Sequence, residues 1–204
     1  MARSGADRSI AIMPRGTEHV PWLYDAICHL CERGGFGQWR RWLAAGARGR
    51  TLDLGCGTGR SLPLLPAGVR AIGLDPSSAP LARARRRAPG VPMVLARAEA
   101  LPFRDATFDT VLSGLVFCSV EEPARGLAEI RRVLRPEGEL RMLEHVRATS
   151  SWQARLQDFI QPVWTWITGG CRPNRDTEAT VARGGFVISE RRARGTMRRL
   201  RAGR

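Results

Sequence analysis

The sequence predicts an α/β fold, in which a doubly wound, mostly parallel sheet carries helices on both faces. Short apolar segments alternate with helical stretches from residue 50 to residue 146. This alternation is typical of a parallel sheet whose crossover helices cover both faces. A glycine-rich turn joins the first apolar segment to the helical stretch that follows it. The length of 204 residues is enough for one domain with a buried core.

The elements of this sheet follow from apolar runs bounded by turn residues. We expect strands at Arg50–Leu54, Val69–Leu74, Pro92–Leu95, Asp109–Leu115 and Glu139–His145. We expect helices at Arg60–Leu65, Ala79–Ala88 and Pro123–Leu134, the last one stopped by Arg135-Pro136-Glu137-Gly138.

Helical periodicity also occurs outside the alternating region. Residues 1–48 are expected to form an N-terminal helical segment, with helices at Trp22–Cys31 and Phe36–Ala47. Residues 49–190 are expected to form the main domain, which continues with a helix at Ser151–Ile167 that Pro162 kinks, a helix at Arg175–Arg183 and a strand at Phe186–Glu190. Residues 191–204 contain seven arginines and no acid, so we expect a frayed or disordered tail there.

The charge balance is strongly basic, with 33 basic residues against 19 acidic ones and a formal net charge of +14. Every basic residue is arginine and none is lysine, which indicates codon bias rather than a selected phosphate-binding surface. The arginines are dispersed and few aromatic residues lie among them, so we do not expect nucleic-acid binding.

Cysteine usage and hydropathy bear on the compartment. Five cysteines, an odd number in a chain of this size, favour a reducing environment. We find no apolar run of signal-peptide length near the N-terminus and no stretch of about 18 uninterrupted apolar residues. We therefore expect a cytoplasmic location. Cys28 and Cys31 are spaced like half of a metal site, but no second cysteine pair accompanies them, so we expect no metal.

The glycine-rich turn gives the strongest indication of function. The sequence Thr51-Leu-Asp-Leu-Gly-Cys-Gly-Thr-Gly59 places three glycines at alternate positions after a short strand. Glycine there permits positive φ angles and close approach of a ligand. A dinucleotide site has the spacing G-x-G-x-x-G and binds a pyrophosphate. Asp53 would repel a pyrophosphate but attract a cation, such as the amino or sulfonium group of S-adenosylmethionine. An NAD-linked oxidoreductase is therefore disfavoured.

A second acid strengthens this interpretation. Asp75 ends the next strand, in Gly-Leu-Asp-Pro, and follows Gly55 by 20 residues. This offset is typical of a carboxylate that accepts hydrogen bonds from ribose hydroxyls. Asp75 in Asp-Pro-Ser-Ser is also a common turn or cap residue, and the two roles are compatible.

Residues 51–146 resemble the type-11 methyltransferase domain of class I S-adenosylmethionine-dependent enzymes. The motifs that carry the resemblance are Asp-Leu-Gly-Cys-Gly-Thr-Gly, Gly-Leu-Asp-Pro, Ala-Glu-Ala-Leu-Pro-Phe, Phe-Asp-Thr-Val and Glu-Ile-Arg-Arg-Val-Leu-Arg-Pro-Glu-Gly. The resemblance implies a Rossmann-like sheet closed by a C-terminal hairpin, which the expected tail would leave incomplete. It also implies adenine contacts near Ala98 and Glu99, with Ser113 and Gly114 under the cofactor. The expected cofactor residues are Asp53, Gly55, Cys56, Gly57, Gly59, Asp75, Pro76, Ala98, Glu99, Ser113 and Gly114.

The identity of the methyl acceptor rests on a narrower likeness. The segments after residue 142 resemble the thiol and alkyl S-methyltransferases, and more distantly the phospholipid and quinone methyltransferases; they include Leu143-Glu-His-Val146, Trp152, Gln161-Pro162, Trp164, Gly170-Cys171, Arg175-Asp-Thr177 and Phe186. This likeness implies a small, hydrophobic acceptor, with a thiol favoured. A non-catalytic cofactor-binding or RNA-associated protein is the alternative from another class.

Two further features are open at the level of sequence. Glu144 and His145 end the fifth strand, where ligands of α/β sheets bind. Both are candidate catalytic residues. The alternative is that Glu144 is a structural hydrogen-bonding residue and that His145 only packs or points outward. The tryptophan-rich helix at 151–167 covers the sheet, forms a lid over an apolar acceptor, or contacts a membrane surface. Only the membrane contact predicts exposed aromatic side chains; we favour the lid.

Overall fold

The computed structural model describes residues 36–168 and 170–204, and in these residues seven strands form one sheet with the order β3-β2-β1-β4-β5-β7-β6. The strands are β1 (Arg50–Leu54), β2 (Arg70–Asp75), β3 (Met93–Leu95), β4 (Phe108–Gly114), β5 (Leu134–His145), β6 (Val187–Arg194) and β7 (Met197–Gly203). The α-helices are α1 (Gly37–Ala45), α2 (Ser78–Arg87), α3 (Pro123–Val133), α4 (Ser151–Thr168) and α5 (Thr177–Arg183). The predicted helix Trp22–Cys31 and the pair Cys28 and Cys31 lie outside the described residues.

The strand order creates a binding crevice between β1 and β4. Strands β1 to β5 pair in parallel with one another, and β7 pairs antiparallel with both β5 and β6, so β7 alone runs in the opposite direction. The chain proceeds outward from β1 to β3 and then crosses back to place β4 on the other side of β1. Ligands of open α/β sheets bind outside the carboxyl ends of the strands at such a switch point. The glycine-rich turn after β1 lies at this point.

Helices cover both faces of the sheet, as the alternation of strands and helices predicts. Successive residues of β4 point to opposite faces, so Val111 belongs to the larger apolar core and Leu112 to the smaller one. The larger core includes Leu127 and Ile130 of α3, whereas the smaller one includes Leu43 of α1. The doubly wound architecture is confirmed.

The prediction of a disordered C-terminal tail is wrong. Residues 187–203 form the antiparallel hairpin of β6 and β7, and β7 pairs along β5 from Glu139 to His145. The side chains of Arg198, Leu200 and Ala202 are buried at every second position. Glu178 of α5 forms ion pairs with both Arg191 and Arg198. The hairpin therefore completes the sheet, because its inward residues pack and its arginines find acidic partners.

The boundaries of two elements also differ from the prediction. The expected helix at 60–65 is only a 3-10 turn at Leu62–Leu64. Pro66 explains this, because a residue before proline avoids helical angles and Leu65 is extended. Strand β5 begins at Leu134, five residues early, because residues 135–138 bulge between the pairs Phe108–Leu134 and Thr110–Glu139 instead of forming a separate turn.

The orientation of α4 also contradicts the favoured interpretation. This helix extends over Ser151–Thr168, as expected, but its large apolar side chains are exposed and not folded over an acceptor. Phe159 is 81% exposed and Trp166 is 77% exposed. The lid hypothesis predicted that these aromatics would be buried. Within the described residues, no helix has both the length and the hydropathy to cross a bilayer.

Candidate cofactor and acceptor site

The glycine loop after β1 is shaped by two close approaches. Gly55 and Gly59 have φ angles of 61° and 77°, which glycine adopts without strain. A Cβ on Gly55 would lie 2.5 Å from Val116 in the loop after β4. A Cβ on Gly59 would lie 2.9 Å from the Cβ of Ala84 in α2. These two glycines let the neighbouring elements pack directly against the loop.

Gly57 has a different surrounding, since it faces open space. Its φ is 53°, and a Cβ built on it would meet no atom of the described residues within 4 Å. Its amide donates a hydrogen bond of 2.9 Å to Oδ2 of Asp75, and the amide of Ser77 donates one of 2.9 Å to Oδ1. Each Asp75 oxygen keeps a second acceptor position for a ligand. The predicted ribose acid therefore lies directly beside the open side of the loop.

Asp53 places a buried carboxylate under the same loop. Its side chain is only 3% exposed, and within the described residues its Oδ2 atom has no hydrogen-bond partner. Burial raises its pKa to about 7, although the charge of Arg40 opposes the rise and that of Asp75 adds to it. A buried acceptor without a partner is costly. A cationic group of a ligand would satisfy it.

Cys56 and Pro76 flank these two acids. The amide of Cys56 donates to the carbonyl of Leu74 at 2.9 Å, which joins the loop to β2. The thiol packs near Gly73, and burial raises its pKa far above the usual value. Cys56 thus holds the loop through its backbone, while Pro76 is exposed directly after Asp75. A direct cofactor contact by either residue stays a prediction.

Glu99 fastens the loop after β3 to the start of α3. Its Oε1 atom accepts hydrogen bonds from the amides of Glu121 (3.0 Å) and Glu122 (3.3 Å). Glu99 and the preceding Ala98 are both buried. The carboxylate is therefore already engaged with the backbone, and the adenine contact implied for these two residues stays a prediction.

Glu144 is a fully buried anchor for the loop after β4. Its Oε1 atom accepts hydrogen bonds from Ser113 Oγ (3.0 Å) and from the amides of Val116 (3.1 Å) and Phe117 (3.2 Å). Burial raises its pKa to about 7, although these hydrogen bonds oppose the rise. This geometry is that of a residue that positions the loop. It agrees with the second of the two roles that the sequence left open for Glu144, a structural hydrogen-bonding residue. The hydroxyl of Ser113 already donates its hydrogen bond to Glu144, so a contact of Ser113 with the cofactor stays a prediction.

The loop that Glu144 holds begins with a strained residue. Leu115 has a φ of 63°, an angle that costs a non-glycine residue energy. Its amide donates to the carbonyl of Leu143 at 2.7 Å. The preceding Gly114 approaches α1, because a Cβ on it would lie 3.3 Å from Leu43. The backbone at the end of β4 is thus held between α1 and β5.

A second polar cluster lies at the ends of β4 and β5, and sequence reasoning missed most of it. His145 is half-buried, and its Nε2 atom lies 2.7 Å from Thr196 Oγ1 in the β6–β7 turn. The amide of Arg172 donates to the carbonyl of Cys118 at 2.8 Å, which brings Cys171 to the loop after β4. A separation of 53 residues between the two cysteines carries no sequence signal.

The two cysteines of this cluster have opposite titration behaviour. The neighbouring thiol of Cys118, and to a smaller extent His145 and Trp164, lower the pKa of the Cys171 thiol to about 5. The pKa of the Cys118 thiol is raised well above its usual value, by the same hydrogen bond and by burial. Of the two thiols, Cys171 is therefore the more acidic.

Comparisons with known proteins agree with this geometry. Residues 52–142 match the family described as a methyltransferase domain. The chain is 36% identical over 142 residues to the human thiol S-methyltransferase TMT1B, covering 65% of this chain and 58% of that protein. It is 34% identical over 155 residues to the demethylmenaquinone methyltransferase of Renibacterium salmoninarum, covering 73% and 65%.

A solved structure confirms the fold. The S-adenosylmethionine-dependent methyltransferase from Thermotoga maritima superposes with a TM-score of 0.71 and 23% identity, over 92% of this chain and 97% of that one. The chain spans less than two thirds of the length of the two curated relatives named above. The matched residues, these relatives and the shared sheet show that residues 52–142 form a methyltransferase domain, on the Rossmann-like sheet of S-adenosylmethionine-dependent methyltransferases.

Proposed function

We propose that this protein transfers the methyl group of S-adenosylmethionine to a small, hydrophobic acceptor, with a thiol as the favoured acceptor. The observation that carries the proposal is the arrangement of Asp53, Gly57 and Asp75 around one open side of the loop after β1. Three features of the part of the chain that the structure describes fit a cationic nucleoside: a buried acid whose Oδ2 atom has no partner there, a glycine that no atom there obstructs, and a second acid with free acceptor positions. They do not fit a pyrophosphate.

In this proposal each residue of the site contacts a different part of the cofactor. Asp53 attracts the positive charge, and Asp75 accepts hydrogen bonds from the ribose hydroxyls. Gly57 leaves room for close approach to the backbone. When bound, S-adenosylmethionine supplies a methyl group on a positively charged sulfur. The chain has to align the acceptor and exclude water, because the departing group needs no protonation.

The acceptor is expected at the carboxyl ends of β4 and β5, beside His145 and Cys171. A thiol has a free pKa near ~8.5 and is already partly ionised at neutral pH. His145 is the candidate to accept its proton, and Glu144 orients the adjoining loop from within the core. The relationship to a thiol S-methyltransferase supports sulfur, whereas the demethylmenaquinone relative supports a quinol as the competing acceptor.

Two measurements test the proposal. Calorimetry with S-adenosylhomocysteine and with NAD is expected to show binding of the first only. A methyl-transfer screen over alkyl thiols, phenols, quinols and aminophospholipids is expected to show the highest kcat/KM with a hydrophobic thiol. Binding of NAD instead would refute the cofactor assignment. Turnover of quinols alone would retain the enzyme class and reject the thiol.

A further inference from the structure

Helix α4 is amphipathic, but it is folded with its polar side inward. The positions that face the protein are Ala154, Gln157, Gln161 and Thr165, which recur at the three- and four-residue spacing of one helix face. Three of these four are polar. An ordinary surface helix turns its apolar stripe inward instead.

A hydrogen-bond network fixes α4 in this orientation. Gln157 is buried, and its Oε1 atom accepts from the amide of Ala148 at 2.7 Å. Its Nε2 atom donates to the carbonyls of Val146 (3.3 Å) and Pro173 (3.1 Å). Thr165 Oγ1 donates to the carbonyl of Cys171 at 2.9 Å. Rotating the helix would leave these buried groups without partners, which is costly.

The outward side of α4 carries most of the large apolar side chains that the described residues expose. Among the described residues, seven of the ten large apolar side chains that are exposed belong to this one helix. Six of them form a continuous stripe: Trp152, Leu156, Phe159, Ile160, Val163 and Trp166. Soluble monomers rarely expose contiguous apolar area on this scale unless it is a docking surface.

The charges on α4 are suited to an anionic surface. The only acid of the helix is Asp158, and Arg147 neutralises it with two hydrogen bonds of 2.6 and 2.7 Å. Arg155, on the flank of the apolar stripe, is exposed and has no ion pair within residues 36–168 and 170–204. The stripe therefore presents aromatic and aliphatic groups beside an unneutralised positive charge.

We propose that the outward face of α4 binds the surface of an anionic lipid bilayer and lies in the plane of the headgroups. Interfacial helices combine an apolar face rich in Trp, Phe and Leu with flanking arginine. α4 has both, with tryptophans near each end, and its 18 residues span roughly 27 Å at 1.5 Å per residue. A single helix face is small for a stable protein dimer, which buries about 800 Å² per partner.

This placement would connect the membrane to the site at β5. Gln157 binds the backbone of Val146, the residue after His145, so α4 is tied to the acceptor edge. Lipid-dissolved acceptors would then reach the site from the bilayer, a consequence that rests on the proposed function. The membrane contact itself does not depend on cofactor binding.

Flotation with vesicles of phosphatidylcholine alone, and with added phosphatidylglycerol, tests the contact. We expect the whole chain to float with the anionic vesicles and a double variant, Phe159→Ser with Trp166→Ser, to lose at least tenfold of that binding. Val163→Ser and Val187→Ser form a matched pair, because these valines are 62% and 70% exposed, on α4 and β6. Only the α4 change is expected to weaken binding. Circular dichroism and S-adenosylhomocysteine affinity should be unchanged in every variant.

Three results would overturn the inference. Equal flotation of all variants would mean that surface arginines alone hold the protein to anionic lipid. No flotation, with dimerisation that the double variant abolishes, would assign the face to a second copy. No flotation and no dimerisation would leave the face without the proposed role. Failure to bind S-adenosylhomocysteine would instead reject the proposed function and leave the membrane contact standing.

Discussion

The amide of Gly57 donates a hydrogen bond of 2.9 Å to Oδ2 of Asp75. This contact links the turn after β1 to the end of β2, so the loop and the acid cannot move independently. It also directs the carboxylate toward the open side of the glycine, where a ligand would lie. The backbone therefore fixes the geometry of the proposed cofactor site in the absence of a ligand.

Replacing Asp75 with Ala is expected to weaken S-adenosylhomocysteine binding by tenfold or more. Hydrogen bonds to a charged group contribute about 1.5–3 kcal/mol each, and this variant removes the acceptor for the ribose hydroxyls. Asp105→Asn, at an exposed position paired with Arg132, is the control that should leave affinity unchanged. Calorimetry measures both. An Asp75→Ala protein that is folded and binds normally would refute the ribose contact.

Gly57→Ala and Gly68→Ala separate backbone strain from contact with the ligand. Both glycines have positive φ angles, 53° and 83°, and neither has an atom within 4 Å of a built Cβ. Both variants are expected to lose about 1 kcal/mol of folding stability. Only Gly57→Ala is expected to reduce S-adenosylhomocysteine affinity, because its methyl group enters the cofactor side of the loop. Thermal unfolding and calorimetry provide the two readouts, and equal affinities would contradict the proposed location of the cofactor.

The pKa of Asp53 predicts proton release when a cationic cofactor binds. In the free protein burial raises this pKa to about 7, so much of the carboxyl is protonated below that pH. A bound cation favours the carboxylate, and affinity should therefore increase as pH rises from 6 to 8, by up to about tenfold per unit below pH 7. Calorimetry in two buffers of different ionisation enthalpy measures the released proton.

Two variants assign that proton. Asp53→Asn should flatten the pH dependence, whereas Glu144→Gln should retain it although burial also raises the Glu144 pKa to about 7. A pH dependence that survives in Asp53→Asn would show that another group titrates.

The centre of the fold was predictable because its signals are local. Strands β1, β2 and β4 are apolar runs, and Gly55, Gly57 and Gly59 mark the turn that follows β1. The hairpin was not predictable in the same way. The seven arginines of residues 191–204 concealed the alternation of Arg198, Leu200 and Ala202, whose burial depends on pairing between β5 and β7.

The site was predictable where residues act close to a turn, and less so where they meet across the fold. The offset between Gly55 and Asp75 predicted a ribose acid, which stays a prediction, but it gave no indication that the amide of Gly57 would donate to that carboxylate. Periodicity showed that α4 has two faces, and the buried hydrogen bonds of Gln157 decide which one turns inward. The approach of Cys171 to Cys118 follows from packing alone.

Two substitutions of Glu144 distinguish positioning from proton transfer. Glu144→Ala leaves Ser113 and the amides of Val116 and Phe117 without their shared acceptor. An unsatisfied buried donor costs about 1–3 kcal/mol, so this variant should be strongly destabilised. Glu144→Gln retains an acceptor oxygen and should keep both the fold and most of kcat.

The pH dependence of stability provides a second readout for Glu144. Its pKa is about 7 in the folded protein and 4.5 as the reference value. The folded state therefore binds the proton more tightly, and its contribution to stability is lost as pH rises from 4.5 to 7. Denaturant unfolding at pH 5 and pH 8 should show a larger loss in the wild type than in Glu144→Gln, in which Asp53, with a pKa that burial also raises to about 7, still contributes. Loss of all activity in a stable Glu144→Gln protein would instead indicate proton transfer.

The thiol of Cys171 is expected to react with iodoacetamide at pH 6, where ordinary thiols are almost unreactive. Its pKa of about 5 makes it mostly thiolate there, and the thiolate is the nucleophile. Partial burial slows the reaction equally at every pH, so the shape of the pH profile is the informative quantity. Mass spectrometry should show a rate at Cys171 that is nearly flat from pH 6 to 8. Cys56, whose pKa burial raises, should react negligibly over the same range.

His145→Gln removes one of the contacts that lower the Cys171 pKa, and it should shift the pH profile of the Cys171 reaction to higher pH. A wild-type rate that rises tenfold per unit from pH 6 to 8 would show an ordinary thiol and contradict the hydrogen-bonded cluster.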